Sequence, residues 1–295
     1  MKAVQDASRL GTYFGSGRDT KPRSIRMTVR SLSCLALTAA LAASAQQPEL
    51  VEHVRNGGFE FVEGEPDTYD MIKHAVGWNN VTIGYSELFS KSAPGKTVGI
   101  PVNDDGKMDG QEGDHYAGFF AWKDDEKRSF DEGDDPFVSG WSSYSEYIIT
   151  DLLKPLQEDR EYEVTFWIAL SGNSDRAVSG IGAYCSLERL SEQHRRFLRQ
   201  KPQVSVEKIM EEKGKWVEVK GTFEADGGEQ YIIIGTYPAA DFITKRMIEG
   251  LDNKYAYYYI DGISVKLLPK EAPKEAPKQP PVAPPQVVPV EVPKQ

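Results

Sequence analysis

Clustered acidic residues are the first side chains in this sequence that could do chemistry, because twelve Asp and Glu lie between Asp104 and Asp135. Hard cations such as Ca²⁺ prefer carboxylate and carbonyl oxygens, and the run Asn103 to Gly106 followed by Asp109-Gly110 has such groups close together. The EF-hand register fails, however, because placing Asp109 at position 5 puts Lys107 at position 3 and Tyr116 at position 12. We therefore favour a solvated acidic loop over a calcium-binding loop in this stretch.

Aromatic residues around the acidic stretch form a second candidate site. Trp122, Trp141 and Tyr144 flank it, and exposed aromatic rings in a β-sandwich stack well on sugar rings. We take these three as candidate ligand contacts, with burial in the core as the alternative. Trp167 and Trp216 lie in apolar contexts and are predicted to be core residues, so Trp167→Ala should cost about 3–5 kcal/mol of stability.

Catalytic motifs are sparse. The four histidines, at positions 53, 74, 115 and 194, are scattered singly and form no His-x-Glu pair, and the chain has no Gly-x-Ser-x-Gly elbow and no glycine-rich phosphate loop. We therefore predict that the protein is not an enzyme. A glycan hydrolase remains the alternative, since it would need two carboxylates facing each other across a groove and sequence does not give such separations.

The chain is strongly acidic, with 35 Lys and Arg against 45 Asp and Glu and a formal net charge of −10. Residues 1–45 carry seven Lys/Arg and two Asp/Glu, so the remainder has a net charge of −15. Such a chain repels phosphate backbones, which argues against nucleic acid as a partner. Without the terminal segments described below, roughly 220 residues remain, enough for one core and one β-sandwich domain.

The N-terminus has the features of a secretory signal peptide. We take Met27 as the start. Arg30 then precedes the apolar run 35–43, and Ala43-Ser44-Ala45 is a small-residue cleavage site before Gln46. The alternative is a genuinely translated, longer, arginine-rich leader from residue 1. The apolar run is too short to span a bilayer, and no second stretch is long enough, so we predict an exported protein without a transmembrane span.

Cleavage after Ala45 would remove Cys34 and leave Cys185 as the only cysteine, so no intramolecular disulfide could form. Cys185 follows the apolar run 181–184, which favours a buried, inert thiol.

Between residues 46 and 268, short strands alternate with turns, which predicts an all-β domain. We predict strands over 116–121, 144–150, 161–170, 177–186, 215–224, 230–237 and 256–267. The charged segment Ser186 to Gly214 has apolar residues at roughly helical spacing, so we expect a short two-helix insertion there, with a solvated loop as the alternative. Residues 269–295 contain nine prolines and should form an extended polyproline II linker or tail.

A set of short motifs follows in order along the chain: Val54-Arg55-Asn56-Gly57-Gly58-Phe59-Glu60, Gly77-Trp78, Tyr116-Ala117-Gly118-Phe119, Glu146-Tyr147-Ile148, Trp216-x-x-Val219-x-Gly221 and Tyr257-Tyr258-Tyr259-Ile260-Asp261. Together these motifs resemble the galactose-binding-like jelly rolls of the carbohydrate-binding-module type. More narrowly, they resemble the N-terminal domain of outer-membrane-protein-A-family envelope proteins, in which a peptidoglycan-binding domain follows a Pro-rich linker. The sequence ends at Gln295 without such a domain, so we expect either a truncated chain or a tail that meets its partner directly.

The resemblance implies a jelly-roll β-sandwich with Greek-key connections. It also implies a structural Ca²⁺ held by Glu60 and Asp261, with Gly262 replacing a second Asp that many members have. The alternative is that each carboxylate hydrogen-bonds to backbone amides instead.

The predicted function is a non-catalytic binding or scaffolding module of a Gram-negative cell envelope. It would contact glycan or an envelope protein through loops at one end of the sandwich, in the periplasm or at the outer-membrane or cell surface. A missing or separate domain would associate it with peptidoglycan. The main alternative is a protein-interaction subunit of a surface or secretion assembly that does not bind sugar.

Overall fold

The computed structural model describes residues 50–124, 144–238 and 245–270. The predicted signal segment 1–45, the candidate ligand residue Trp141 and nearly all of the predicted tail 269–295 lie outside these residues.

β-Strands are nearly the only regular secondary structure of the described chain, and turns, irregular backbone and one 3₁₀ turn at Ile72–His74 connect them. The strands are β1 (Val51–Glu52), β2 (Trp78–Asn80), β3 (Glu87–Ser90), β4 (Val102–Asn103), β5 (Gly106–Lys107), β6 (His115–Lys123), β7 (Ile148–Asp151), β8 (Arg160–Leu170), β9 (Arg176–Val178), β10 (Ile181–Ser186), β11 (Val204–Ser205), β12 (Val217–Ala225), β13 (Tyr231–Thr236), β14 (Lys245–Met247) and β15 (Tyr255–Leu267).

Two antiparallel sheets form the sandwich. The first sheet has the order β12-β8-β15-β6-β3, with β1 paired to the end of β15, and the second has the order β11-β10-β13-β7-β2. Strands distant in sequence are neighbours in the sheets, as where β15 lies between β8 and β6. This arrangement confirms the predicted all-β jelly-roll sandwich, and each of the seven predicted strands corresponds to one or two observed strands.

The main core lies between the two sheets and follows from the period-2 alternation of strand side chains. In β8, Phe166 and Ile168 are buried in this core, whereas Thr165 and Trp167 lie half-buried on the outer face of the first sheet. The prediction that Trp167 is a core residue is therefore wrong. Trp216 is also only half-buried, and its Nε1 donates to the Asp109 carbonyl at 2.9 Å.

Part of the outer face of the first sheet carries a second, smaller apolar cluster. Tyr257 and Tyr259 point outward from β15, while Tyr258 between them points into the main core. Phe89 and Tyr116 pack on these two tyrosines, and the segment 98–108 contributes Val98, Ile100 and Met108 to the cluster. The rest of the outer face, over β8 and β12, is where the candidate site lies.

The predicted two-helix insertion over 186–214 is wrong, because the described chain there contains only the short strand β11 and irregular backbone. Backbone groups that a helix would bond internally are bonded to the sandwich instead. Glu192 N donates to Val81 O at 2.7 Å, Ser145 N to Arg195 O at 2.8 Å and Val206 N to Ile181 O at 2.9 Å. Phe197 and Leu198 are buried, so the apolar spacing that suggested a helix marks core contacts of an extended segment.

Candidate functional site

An open groove lies on the outer face of the first sheet. The strand register places its side chains. Trp167 of β8 lies opposite Glu218 of β12 and Asp261 of β15. In the next outward-facing row, Thr165 lies between Lys220 and Ser264. Three strands therefore present one indole ring with polar side chains on both sides of it.

A β-bulge shapes the floor of this groove. The register of β15 shifts between Asp261 and Ser264, and Gly262 within the bulge has φ +60°. A Cβ at Gly262 would lie 2.9 Å from Trp167 Cδ1, so the glycine gives the indole room as well as allowing the backbone conformation. The bulge and the indole ring together account for the glycine at position 262.

Gly262→Ala should disturb both the bulge and the Trp167 ring. The added methyl group would sit in a left-handed backbone conformation and against the indole, so we expect a loss of about 1–2 kcal/mol of stability. We also expect a changed Trp167 fluorescence. Chemical denaturation with fluorescence detection measures both effects, with Gly95→Ala as the control because open space surrounds that glycine. An unchanged variant would contradict the described bulge.

The groove has a volume of about 480 Å³ and a mostly polar lining. Lys220 and Glu163 form an ion pair at 2.8 Å across the β12–β8 boundary. The Glu52 carboxylate is hydrogen-bonded within the fold: its Oε1 accepts from the Val54 and Val265 amides at 2.8 and 2.9 Å. The remaining charged and amide side chains that line it are Gln111, Glu112, Glu218 and Lys266.

The two predicted calcium ligands, Glu60 and Asp261, both hold the loop 111–115. Asp261 Oδ2 accepts from the Gln111 and Glu112 amides at 3.2 and 3.4 Å. Glu60 Oε1 accepts from the Asp114 and His115 amides at 3.0 Å. The two ends of the folded region therefore meet at this loop, as the resemblance implied. In each carboxylate, one oxygen already accepts hydrogen bonds from backbone amides of the loop.

The pKa of Asp261 is raised to about 7, chiefly by burial. Hydrogen bonds from three backbone amides act to lower this pKa, and the nearby Glu112 carboxylate acts to raise it. A Cβ at Gly58 would lie 3.5 Å from Glu112 Oε1 and 3.7 Å from Asp261 Oδ1, so these two carboxylates flank the same glycine. No group of three or more His, Cys, Asp or Glu side chains in the described ranges is arranged to hold a metal ion. The calcium site stays a prediction.

Trp122, a predicted ligand contact, is buried in the main core, with 4% of its surface exposed. The cause is a β-bulge in β6: Tyr257 pairs with Phe120 but Ala256 pairs with Trp122, so Ala121 and Trp122 both face inward. That prediction is therefore wrong. Tyr144 is half-buried, and its hydroxyl donates to the Glu146 carboxylate.

Two buried carboxyl groups, Glu87 and Glu146, were not singled out from the sequence. Tyr257 OH donates to Glu87 Oε2 at 2.5 Å, and the Phe120 amide donates to Glu146 Oε2 at 2.9 Å. Burial raises the pKa of Glu87 well above its usual range and that of Glu146 to about 8. The charge of Glu146 further raises the pKa of Glu87. Glu146 belongs to one of the motifs that carry the resemblance, but nothing in the sequence distinguishes either carboxyl group from an ordinary surface charge.

The predicted inert cysteine agrees with the structure. Cys185 is a free, buried thiol, and burial raises its pKa. No helix in the described ranges is long and apolar enough to cross a membrane.

Comparisons with known proteins find no matching protein-family model and no matching curated protein. Among solved structures, the chain is similar to carbohydrate-binding modules and adhesin domains. The CBM22-1 xylan-binding domain of Paenibacillus barcinonensis Xyn10C is 13% identical with a TM-score of 0.37, over 76% of this chain and 97% of that domain. The K3 cleaved adhesin domain of Porphyromonas gingivalis Lys-gingipain is 11% identical with a TM-score of 0.35, over 74% and 98%. TmCBM61, solved with β-1,4-galactotriose, is 11% identical with a TM-score of 0.29, over 73% and 97%.

Proposed function

We propose that this domain is a non-catalytic glycan-binding module and that the groove around Trp167 holds the sugar chain. The observation that carries the proposal is the half-buried Trp167 on the outer face of the first sheet, with polar side chains on either side of it. Binding sites of this kind combine an aromatic surface for the apolar face of a ligand with a few polar groups that orient it. This location replaces the sandwich-end loops expected from the sequence.

Two of the four carboxylates that line the groove are committed to positions within the fold, because Glu163 is paired with Lys220 and Glu52 is bonded to backbone amides. Glu87 and Glu146, the buried pair, are not among the residues that line the groove. We therefore assign no acid–base role to these four residues. Glu112 and Glu218 are the other carboxylates of the groove, and the assay of reducing ends described below tests them.

Affinity electrophoresis of the domain in gels containing soluble xylan, mixed-linkage β-glucan, galactan or polygalacturonate tests the proposal. We expect retardation by at least one neutral polysaccharide and little by polygalacturonate, because the groove carries more carboxylate than ammonium groups. Release of reducing ends should stay at the level of a protein-free control. Uniform mobility in every gel would overturn the glycan proposal and favour the protein-interaction alternative.

We also propose that Ca²⁺ binds where the loop 111–115 meets Glu60 and Asp261. Carboxylate oxygens suit Ca²⁺, and the ion would offset the negative charge of Asp261, which is fully buried, and of its neighbour Glu112. A ligand that binds only the native state raises its stability, by about 2.7 kcal/mol at a concentration one hundred times the dissociation constant.

Thermal unfolding in excess calcium should therefore show a higher Tm than unfolding in a chelator. Asp261→Asn should remove the difference, because it removes the buried charge while nearly preserving shape. Glu218→Gln, an exposed substitution on β12, serves as the control and should keep the difference. Identical transitions of the unmodified domain in calcium and in chelator would contradict the site.

We further propose that the domain is exported to the envelope of a Gram-negative bacterium and that the Pro-rich tail holds it at a distance from its anchor. The support is the signal-like run ending at Ala45 and the composition of residues 269–295. N-terminal sequencing of secreted material should begin at Gln46. A lipid-modified N-terminus at Cys34 would contradict export as a soluble protein.

A further inference from the structure

The indole N–H of Trp167 differs from those of two other tryptophans in its hydrogen bonding. Trp78 Nε1 donates to the Asn56 carbonyl at 2.7 Å, and Trp216 Nε1 donates to the Asp109 carbonyl at 2.9 Å. Within the part of the chain that the structure describes, no residue accepts a hydrogen bond from Trp167 Nε1. A tryptophan N–H that leaves water normally finds an acceptor. The Trp167 N–H can therefore donate to a group that enters the groove.

The edge of the indole ring that carries Nε1 faces the space above Gly262. A Cβ built on Gly262 would lie 2.9 Å from Trp167 Cδ1 and 3.5 Å from Trp167 Nε1. The same point lies 3.5 Å from Gln111 Oε1. A hydrogen-bond donor and an acceptor therefore converge on one place, which stays open because residue 262 has no side chain. All three residues line the groove, and we call this place the Gly262 subsite.

The side-chain amide of Gln111 is the second polar group of the subsite. The backbone N–H of Gln111 donates to Asp261 Oδ2 at 3.2 Å, which fixes the main chain of this residue. Its side-chain amide makes no hydrogen bond to any residue in the described ranges, and the residue is half-buried. The backbone is therefore held by the fold, and Gln111 Oε1 can accept from a ligand.

Asp261 joins the three parts of the subsite from below. Its side chain is fully buried, and Oδ2 accepts from the Gln111 and Glu112 amides of the loop. Oδ1 accepts from the Gly262 amide of the bulge at 2.7 Å, and the backbone of Asp261 pairs with Trp167 of β8. One buried carboxyl group thus positions loop, bulge and strand before a ligand arrives, which reduces the ordering cost of binding.

We infer that the Gly262 subsite binds one hydroxyl group of the sugar and that Gln111 is a specificity-determining residue of the groove. The Trp167 N–H donates to the hydroxyl oxygen, and Gln111 Oε1 accepts the hydroxyl proton. An ether or ester oxygen at this place can accept but cannot donate, and a carboxylate has no proton to give. The inference rests on the proposed binding of glycan in the groove. It specifies a neutral sugar unit whose hydroxyl beside the Trp167 ring is unsubstituted.

Trp167→Phe separates the N–H from the aromatic surface, because phenylalanine keeps a ring without a donor. The probe is a hexasaccharide of xylan, mixed-linkage β-glucan or galactan, chosen as the polysaccharide that retards the unmodified chain. In calorimetric titrations of the full-length chain, Trp167→Phe and Gln111→Ala should each weaken binding by about fivefold, as expected for one lost hydrogen bond between neutral groups. Gln193→Ala removes an exposed glutamine outside the groove and should leave the affinity unchanged.

The double variant Trp167→Phe with Gln111→Ala tests whether both atoms bind the same hydroxyl. Two independent contacts would give a combined loss of about twenty-fivefold, whereas groups that share one partner are not additive. We expect a loss of about tenfold. A loss equal to the product of the two single losses would overturn the shared hydroxyl.

The ¹H–¹⁵N signal of the Trp167 indole gives a readout that a merely structural role would not change. Its absence from the spectrum of Trp167→Phe identifies it. Saturation with the hexasaccharide should shift this signal and slow its exchange with solvent by about fivefold or more, because the N–H becomes hydrogen-bonded. An unchanged position and exchange rate at saturation would overturn the inference.

Failure of the subsite and failure of the glycan proposal give different results. Binding that is lost in Trp167→Ala but kept at full strength in folded Trp167→Phe and Gln111→Ala would overturn the subsite alone. Uniform mobility of the unmodified chain in every polysaccharide gel would overturn both. Unfolding transitions of each variant show that it is folded.

Discussion

Trp167→Ala should lower the affinity of the domain for its polysaccharide by about thirtyfold, the equivalent of the ~2 kcal/mol typical of a central aromatic contact. The ring is the one large aromatic surface that lines the groove, so its removal leaves the polar side chains without the surface that they flank. Because Trp167 faces outward, the free energy of unfolding should change by much less than the 3–5 kcal/mol expected of a core tryptophan.

Isothermal calorimetry with a polysaccharide that retards the unmodified domain measures the affinity, and chemical denaturation measures the stability. Tyr85→Ala is the matched control, since Tyr85 is an exposed aromatic residue that does not line the groove. Unchanged affinity of a folded Trp167→Ala domain would place the sugar elsewhere on the molecule. A large loss of stability would mean that Trp167 supports the core after all.

The thermal stability of the domain should fall as the pH rises from about 5 to about 8. Four buried carboxyl groups have raised pKa values in the folded state: Glu87 well above its usual range, Glu146 about 8, Asp261 about 7 and Asp105 about 6. Desolvation is the largest cause for all four, because burial disfavours the charged form.

The sign of the effect follows from proton binding. Below the ordinary carboxyl pKa these groups are protonated in both the folded and the unfolded chain, so they do not make the free energy of unfolding depend on pH there. Between that value and the raised pKa the folded chain holds more protons, so each unit of pH lowers the free energy of unfolding by up to about 1.4 kcal/mol per group. The decrease ends above the raised pKa, near pH 8 for Glu146.

The double variant Glu87→Gln and Glu146→Gln should flatten this dependence and raise the Tm at pH 8 relative to the unmodified domain. Glutamine keeps an oxygen that can accept from the Tyr257 and Tyr144 hydroxyls, without a charge to desolvate. Glu218→Gln, on the exposed side of β12, should leave the profile unchanged. Melting curves between pH 5 and pH 9 in a chelator measure the effect, and a Tm that rises over this range in the unmodified domain would contradict it.

Strand composition was sufficient to predict where most of the sandwich strands lie. The alternation that begins at Glu161 and the apolar run at Tyr231 became β8 and β13, and Cys185 is buried as its apolar surroundings indicated. These features depend on a few consecutive residues, since each strand must bury one row of side chains wherever it is placed. The fold class could therefore be predicted from local patterns alone.

The tertiary structure decided which of the two rows of side chains on a strand faces the core. A period of two separates Phe166 from Trp167 but does not say which of them meets the second sheet, and the bulge in β6 reverses the expected side for Trp122. The apolar spacing at 186–214 is consistent with a helix, but backbone hydrogen bonds to distant parts of the chain hold the segment in an extended conformation.

The chemistry-bearing groups depend on contacts across the whole chain. Glu60 and Asp261 lie at opposite ends of the folded region yet bind the same loop, and Tyr257 reaches Glu87 across the intervening β6. The sequence by itself determined the strands and the polarity of the chain. The groove around Trp167 and the buried carboxyl pair exist only because strand order and bulges bring distant residues together, and no local pattern contains that information.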